Sequence, residues 1–231
     1  MNIKIDIKIF IFALIFFITN KIEIYATAMI FALIHELGHL ICGIIIGFKP
    51  QNLSIMPYGI KLNFKLDFDD YNKKVKKGNM ISVKKIIVAL AGPITNILIF
   101  GVTMIITAMK GDFTFVGLTN KNIIYSNLII AIFNLIPIYP LDGGRIVHEI
   151  LHIFKGLRLS YTYIQDISLI SIALLTTVSS ILVLYYKNIV MIIVLAYLWK
   201  LVIQTEKEFS LKEKIYENIS NIWQKNLQKL S

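Results

Sequence analysis

The run Ile24-YATAMIFALIHELGHLICGIIIG-Phe48 contains a single charged residue, Glu36, within the cluster His35-Glu36-Leu37-Gly38-His39. A helix needs about 20 apolar residues to cross the hydrocarbon core of a bilayer, so the run reads as a membrane span with ionisable groups near its middle. Such a group costs about 2.5–3.5 kcal/mol at the bilayer centre on insertion scales. Three of them within five positions call for a partner. The spacing names one: on a helix, His-Glu-x-x-His sets two imidazoles at i and i+4 on one face. There they can hold one zinc ion, with the Glu beside the water that the metal activates. The bland alternative is a polar seam packed against neighbouring helices, and the complete motif in an apolar span favours the metal.

The rest of the chain supplies the same solvent. Of its 231 residues 56% are hydrophobic and mean hydropathy is +0.70, which excludes a disordered chain and disfavours a soluble globule. Further apolar runs fall at 86–109, 123–154, 167–186 and 189–203, and a shorter one at 9–18 lies between Lys8 and Lys21. Six spans are therefore expected. That count sorts 20 of the 24 Lys and Arg to the side bearing both termini and 4 to the other, which predicts cytoplasmic termini. Lys4, Lys8, the first apolar run and Ala26-Thr27-Ala28 mimic a cleaved leader, but Lys21 and Glu23 interrupt that pattern and argue for an uncleaved anchor. The net charge of +10 is thus topological, and with only two Arg the chain is a poor reader of nucleic acid. Cys42 stands alone, which excludes an internal disulfide.

A catalytic zinc usually takes a third protein ligand and leaves one position open. Asn134-Leu-Ile-Pro137-Ile-Tyr-Pro140-Leu-Asp142-Gly143-Gly144 offers a carboxylate, Asp142, inside the 32-residue apolar run. Pro137 and Pro140 cannot sit in a helix interior, and Gly143-Gly144 loosens it further. A broken helix follows, with extended chain at membrane depth lining a wet cavity. The pairing of His35-Glu36-Leu37-Gly38-His39 with Asn134-x-x-Pro-x-x-Pro-Leu-Asp-Gly resembles the site-2 protease family of intramembrane zinc metalloproteases. Ala91-Gly92-Pro93-Ile94-Thr95-Asn96 is similar to that family's Ala-Gly-Pro-x-x-Asn element. The resemblance runs from about residue 24 to 155 and is strongest to the stage IV sporulation protein FB subgroup. It implies one zinc per chain on His35, His39 and Asp142, with Glu36 catalytic and Asn134 and Pro140 positioning substrate. It further implies a membrane-associated protein substrate (a pro-sigma factor), regulatory membrane proteins as partners, and the mother-cell membrane around the forespore as location. The 26 residues after Thr205 are too few for the CBS domain of the better-known members.

A second match, His148-Glu149-Ile150-Leu151-His152, uses the remaining two of the four histidines. Its neighbours Arg145, Lys155 and Arg158 set it toward the cytoplasmic surface, where polar side chains need no metal, so the first motif is read as catalytic. Between the second and third spans, Ile60 to Phe68 alternates apolar and polar residues, the period of a strand. Leu53–Met56 is its expected hairpin partner, and an edge there would suit strand addition by a substrate. The basic run Lys73–Lys77 reads as a topology determinant, with anionic lipid as the other reading. Phe209, Ile215, Ile219, Ile222, Trp223 and Leu230 form one stripe of a C-terminal helix.

The expected protein is all-α and polytopic, with about six transmembrane helices, one broken, and a small β-hairpin. Residues 1–205 form the metalloprotease domain and 206–231 an amphipathic cytoplasmic helix. The expected reaction is peptide-bond hydrolysis in or near the membrane. A metal-ion transporter also places His and carboxylates within spans, but paired broken helices are its habit and one broken segment is seen here. An inactive scaffold would be expected to lack Glu36 or a ligand.

Overall fold

In the computed structural model, residues 2–5, 14, 17–18, 22–56, 59–65, 77–115, 117–186 and 189–228 are described. The chain divides into two compact units, Met1–Ile136 and Pro137–Ser231.

The first unit is organised by α1 (Ile22–Ile46). Its covered side takes every fourth residue, Thr27, Phe31, His35, His39 and Gly43, while Ile30, Leu33, Leu37, Ile41, Ile44 and Ile45 are exposed. Apart from Phe31, polar and small groups lie inside and large aliphatics outside, the arrangement lipid imposes, since lipid tails do not drive apolar groups inward. The helix stops at Gly47, whose φ of +95° is open to glycine and strained for other residues. The Gly47 amide donates to Ile44 O (3.0 Å) and the Phe48 amide to Gly43 O (2.8 Å), and the Lys84 ammonium caps the Ile46 carbonyl at 3.2 Å.

From there the chain enters β2 (Lys49–Met56) and returns antiparallel as β3 (Gly59–Lys65), pairing Leu53 with Leu62 and Ile55 with Ile60. The predicted hairpin is present. Its strand was expected to reach Phe68, and residues 66–68 lie outside the described residues. Sequence reading misses the third strand, β1 (Asn2–Ile5), which adds to β2 in parallel with Ile3 opposite Leu53.

The long helix α2 (Lys77–Lys110) packs on α1 and on α3 (Asn120–Leu135), and α3 also touches α1. It too is apolar outward, with Ile94, Ile97, Leu98, Val102 and Ile105 exposed and Ser82, Asn96 and Thr103 buried. The short hairpin of β4 (Thr114–Phe115) and β5 (Leu118–Thr119) joins α2 to α3, and the Thr119 hydroxyl caps α3 by accepting from the Asn122 amide.

In the second unit α4 (Asp142–Lys155), α5 (Leu157–Tyr186) and α6 (Ile189–Gln228) pack in sequence. Ile138, Ile164, Ile172, Leu198, Val202 and Phe209 form its core. The Trp199 indole N–H donates to Thr176 Oγ1 on α5 at 2.9 Å. α6 runs without a break past Thr205, and Phe209 of the predicted stripe is buried. The side chains of the other stripe residues lie outside the described part.

Among the described residues, three helical segments are long and apolar enough to cross a membrane: Tyr25–Ile46, Asn79–Lys110 and Leu157–Ile181. The expected first span, at 9–18, lies almost wholly outside the described residues. The 123–154 run is two shorter helices, as its prolines require: α3 ends at Leu135 and α4 begins at Asp142.

Candidate metal centre

His35 and His39 occupy successive turns of the covered stripe of α1 and are each 3% exposed. Their Nε2 atoms face one another at 3.1 Å. The protons follow from the partners on the other ring nitrogens. His39 Nδ1 lies 2.6 Å from the Val88 carbonyl, an atom that can only accept, so Nδ1 carries the hydrogen. The Gly92 amide is also near that nitrogen, at 3.3 Å, but the shorter approach to an oxygen without hydrogens decides the tautomer. His35 Nδ1 meets Asn96 Oδ1 at 2.5 Å, and Asn96 Nδ2 in turn donates to Asn127 Oδ1 at 2.8 Å. With both Nδ1 atoms protonated, Nε2 is the basic nitrogen of each ring, and the two converge in a buried space. This donor pair fits a metal with imidazole preference.

Backbone proximity makes the pocket possible. A Cβ on Gly92 would overlap Nε2 of both histidines, and one on Gly38 would overlap Thr95 Oγ1 and lie 3.1 Å from Ala91 O. The Ala91–Asn96 element is therefore the wall against which the two histidines are set. Glu36, one residue along the helix from His35, is half-buried. Asn134, in the last turn of α3, donates from Nδ2 to the Ile130 carbonyl at 3.0 Å.

Asp142 belongs to the second unit. It opens α4, is 4% exposed, and has Arg145 Nη1 at 3.5 Å from Oδ1. The preceding Pro137–Leu141 segment is tied down at Tyr139, whose amide donates to Ser168 Oγ at 3.0 Å. It crosses close to Gly144, where a Cβ would overlap the Ile138 carbonyl and the Tyr139 nitrogen. Pro140 is half-buried in this segment.

The second His-Glu-x-x-His is built differently. Glu149 is 7% exposed and lies between its histidines, with Oε1 3.8 Å from His148 Nδ1 and Oε2 3.6 Å from His152 Nδ1. Ser160 gives its hydroxyl proton to Leu157 O at 2.7 Å, so the contact at 3.4 Å between its oxygen and His148 Nε2 places the proton on Nε2. The His148 ring is packed by Tyr139, Tyr161 and Phe209 at centroid distances of 5.9, 5.0 and 6.0 Å. This motif is a packed core element of its unit, and its Nε2 is already committed.

Comparison with known proteins supports the same architecture. A solved site-2 protease from Methanocaldococcus jannaschii superposes with a TM-score of 0.63 at 23% identity, covering 88% of this chain and 90% of that one. The fold is that of a site-2 protease. Within it, residues 114–178 match the model of peptidase family M50, a stretch that includes Asp142 and excludes His35–His39. The zinc metalloprotease MJ0392 of M. jannaschii is 29% identical over 122 residues, or 51% of this chain and 31% of that protein. Stage IV sporulation protein FB of Bacillus subtilis is 26% identical over 149 residues, or 64% of this chain and 46% of that protein. The chain thus spans less than half the length of either curated relative.

Sequence reading singles out the two histidines, Glu36 and Asp142. It does not find Asn127, which is fully buried beside Asn96. The available signal was an amide side chain in an apolar run, costly at membrane depth unless paired.

Proposed function

We propose that this chain is an intramembrane zinc metalloendopeptidase with His35, His39 and Asp142 as its metal ligands. The observation that carries the reading is the buried pair of imidazoles with Nε2 atoms 3.1 Å apart and both Nδ1 atoms committed to other acceptors. Asp142, a buried carboxylate at the start of α4, is proposed as the anionic third donor. Zinc held there would supply a water acidic enough to ionise near neutral pH and a Lewis acid for the scissile carbonyl.

The remaining work falls to the chain. A Glu36 carboxylate oxygen takes the attacking water's proton and passes it to the nitrogen of the departing amine. Asn134 and Pro140 position the substrate backbone. An unwound segment is required, since a helical substrate keeps its carbonyl hydrogen-bonded, and the β2–β3 hairpin offers an edge for strand addition. Six spans with both termini cytoplasmic would set the motif's second histidine one turn nearer the cytoplasm. The substrate is a membrane-associated protein, and the similarity to stage IV sporulation protein FB favours a pro-sigma factor. Co-expression with a candidate pro-sigma factor tests this. Processing by the wild type that is abolished in Glu36→Gln and Asp142→Asn supports the reading, and processing that survives either substitution overturns it.

A further inference from the structure

The tautomer of a buried histidine is ordinarily ambiguous, because a neighbouring amide can be turned end for end. Here the ambiguity is removed from a distance. Asn127 Nδ2 lies 2.8 Å from the Ile123 carbonyl one turn back on α3. A carbonyl can only accept, so that end of the Asn127 amide is the NH2 group and its oxygen faces Asn96. Asn96 must therefore present NH2 to Asn127 at 2.8 Å and oxygen to His35 Nδ1 at 2.5 Å. The oxygen in turn requires a proton on His35 Nδ1. Asn96 and Asn127 are both 0% exposed, so water offers no competing partner.

We propose that Asn127 is a positioning residue of the metal centre: anchored on the Ile123 carbonyl, it acts through Asn96 to hold His35 with Nδ1 protonated and Nε2 as the nitrogen that meets the metal. α1, α2 and α3 each contribute one side chain to this line. Its members sit on the buried stripes of their helices, so the helix packing itself carries the orientation. His39 needs no such relay, since Val88 O is within direct reach. Outer hydrogen-bond partners of metal-ligating histidines are worth about 10–100-fold in metal affinity, and the line predicts a loss of that size when its anchor is removed.

This inference rests on the zinc reading, and the experiment separates the two. Detergent-purified full-length wild type, Asn127→Leu and Asn127→Asp are titrated with zinc against a competing chelator. The ring nitrogens of His35 are followed by 15N NMR in the metal-free proteins. A carboxylic acid introduced by Asn127→Asp has the O–H to donate to Ile123 O and the oxygen to accept from Asn96 that the amide has. The expected result is roughly 10–100-fold weaker zinc binding and a mixed His35 tautomer in Asn127→Leu, with both restored in Asn127→Asp. If Asn127→Leu fails to fold, the His35 tautomer in the metal-free wild type still decides. Equal zinc affinity and an unchanged Nδ1–H tautomer in Asn127→Leu would overturn the proposal, as would an Nε2–H tautomer in the metal-free wild type. A wild type that binds no zinc yet holds the Nδ1–H tautomer, losing it in Asn127→Leu, sinks the zinc reading and leaves the relay standing.

Discussion

Replacing Gly92 by Ala adds one methyl group at the place where α2 meets both histidines. The added Cβ would lie 2.6 Å from His35 Nε2 and closer still to His39 Nε2, whereas ordinary contact begins at 3.4 Å. His35 alone must therefore retreat by roughly 0.8 Å, about four times the ±0.2 Å within which a metal–ligand distance is held. A misplacement near 1 Å costs on the order of 10²-fold in rate, and forced overpacking costs about 1–3 kcal/mol of stability. Ala in place of Gly in a helix interior recovers about 0.5–1 kcal/mol of that. Gly101 on the same helix is the matched control: a Cβ there meets nothing within 4 Å, so Gly101→Ala should be neutral or slightly stabilising. The assay is zinc content by mass spectrometry on purified protein, alongside thermal unfolding and cleavage of a co-expressed membrane-tethered substrate. Gly92→Ala is expected to lose stoichiometric zinc and at least about 100-fold of its cleavage rate, while Gly101→Ala keeps both. Full zinc occupancy and wild-type cleavage in Gly92→Ala would show that the Ala91–Asn96 element does not wall the metal centre.

Three further outcomes follow from the geometry. Glu36→Gln should abolish cleavage and leave zinc content unchanged, whereas Glu149→Gln should retain cleavage and zinc, because His148 Nε2 already faces Ser160; the reverse pattern in a co-expression assay would transfer the site to the second motif. Removing the Thr176 hydroxyl as Thr176→Val leaves the Trp199 indole N–H unpaired against α5, an expected loss of about 1–3 kcal/mol, read as a lower unfolding midpoint by tryptophan fluorescence. The hydrogen bond from Asn120, with Lys121 adding charge, holds the Asp112 carboxyl below its ordinary range. Its folded pKa is the lower one, so its contribution is complete above the unfolded carboxylate value and lost as pH falls through the folded one. Asp112→Asn should flatten that acid-side slope in a pH series of unfolding midpoints, and an unchanged slope would exclude Asp112 as its source.

How much of this was legible beforehand depends on the range of the interaction concerned. Periodicity and motif spacing are local, so α1, the β2–β3 alternation and the proline break at 136–141 could be read directly. The charge cluster His35-Glu36-His39 was legible for a sharper reason: lipid makes any unpaired ionisable group expensive, and that cost points to a partner. β1 was missed because four residues of alternating Asn-Ile-Lys-Ile are too short a period to separate from a charged flank, and its pairing partner lies about 50 residues away. The duplicated His-Glu-x-x-His shows the limit more plainly. Both copies have the same spacing, so helix geometry alone assigns them the same chemistry. What separates them is the partner of each ring's other nitrogen: Val88 O and Asn96 Oδ1 take the Nδ1 protons and turn the two Nε2 atoms toward each other in the first, and Ser160 occupies Nε2 in the second. Those partners come from other helices, or from another turn of the fold, and no spacing rule contains them. The chemistry of the first motif is therefore set as much by amides on α2 and α3 as by its own five residues, which is why Asn127, unremarked as a motif, is the position where substitution should report most cleanly on the assignment.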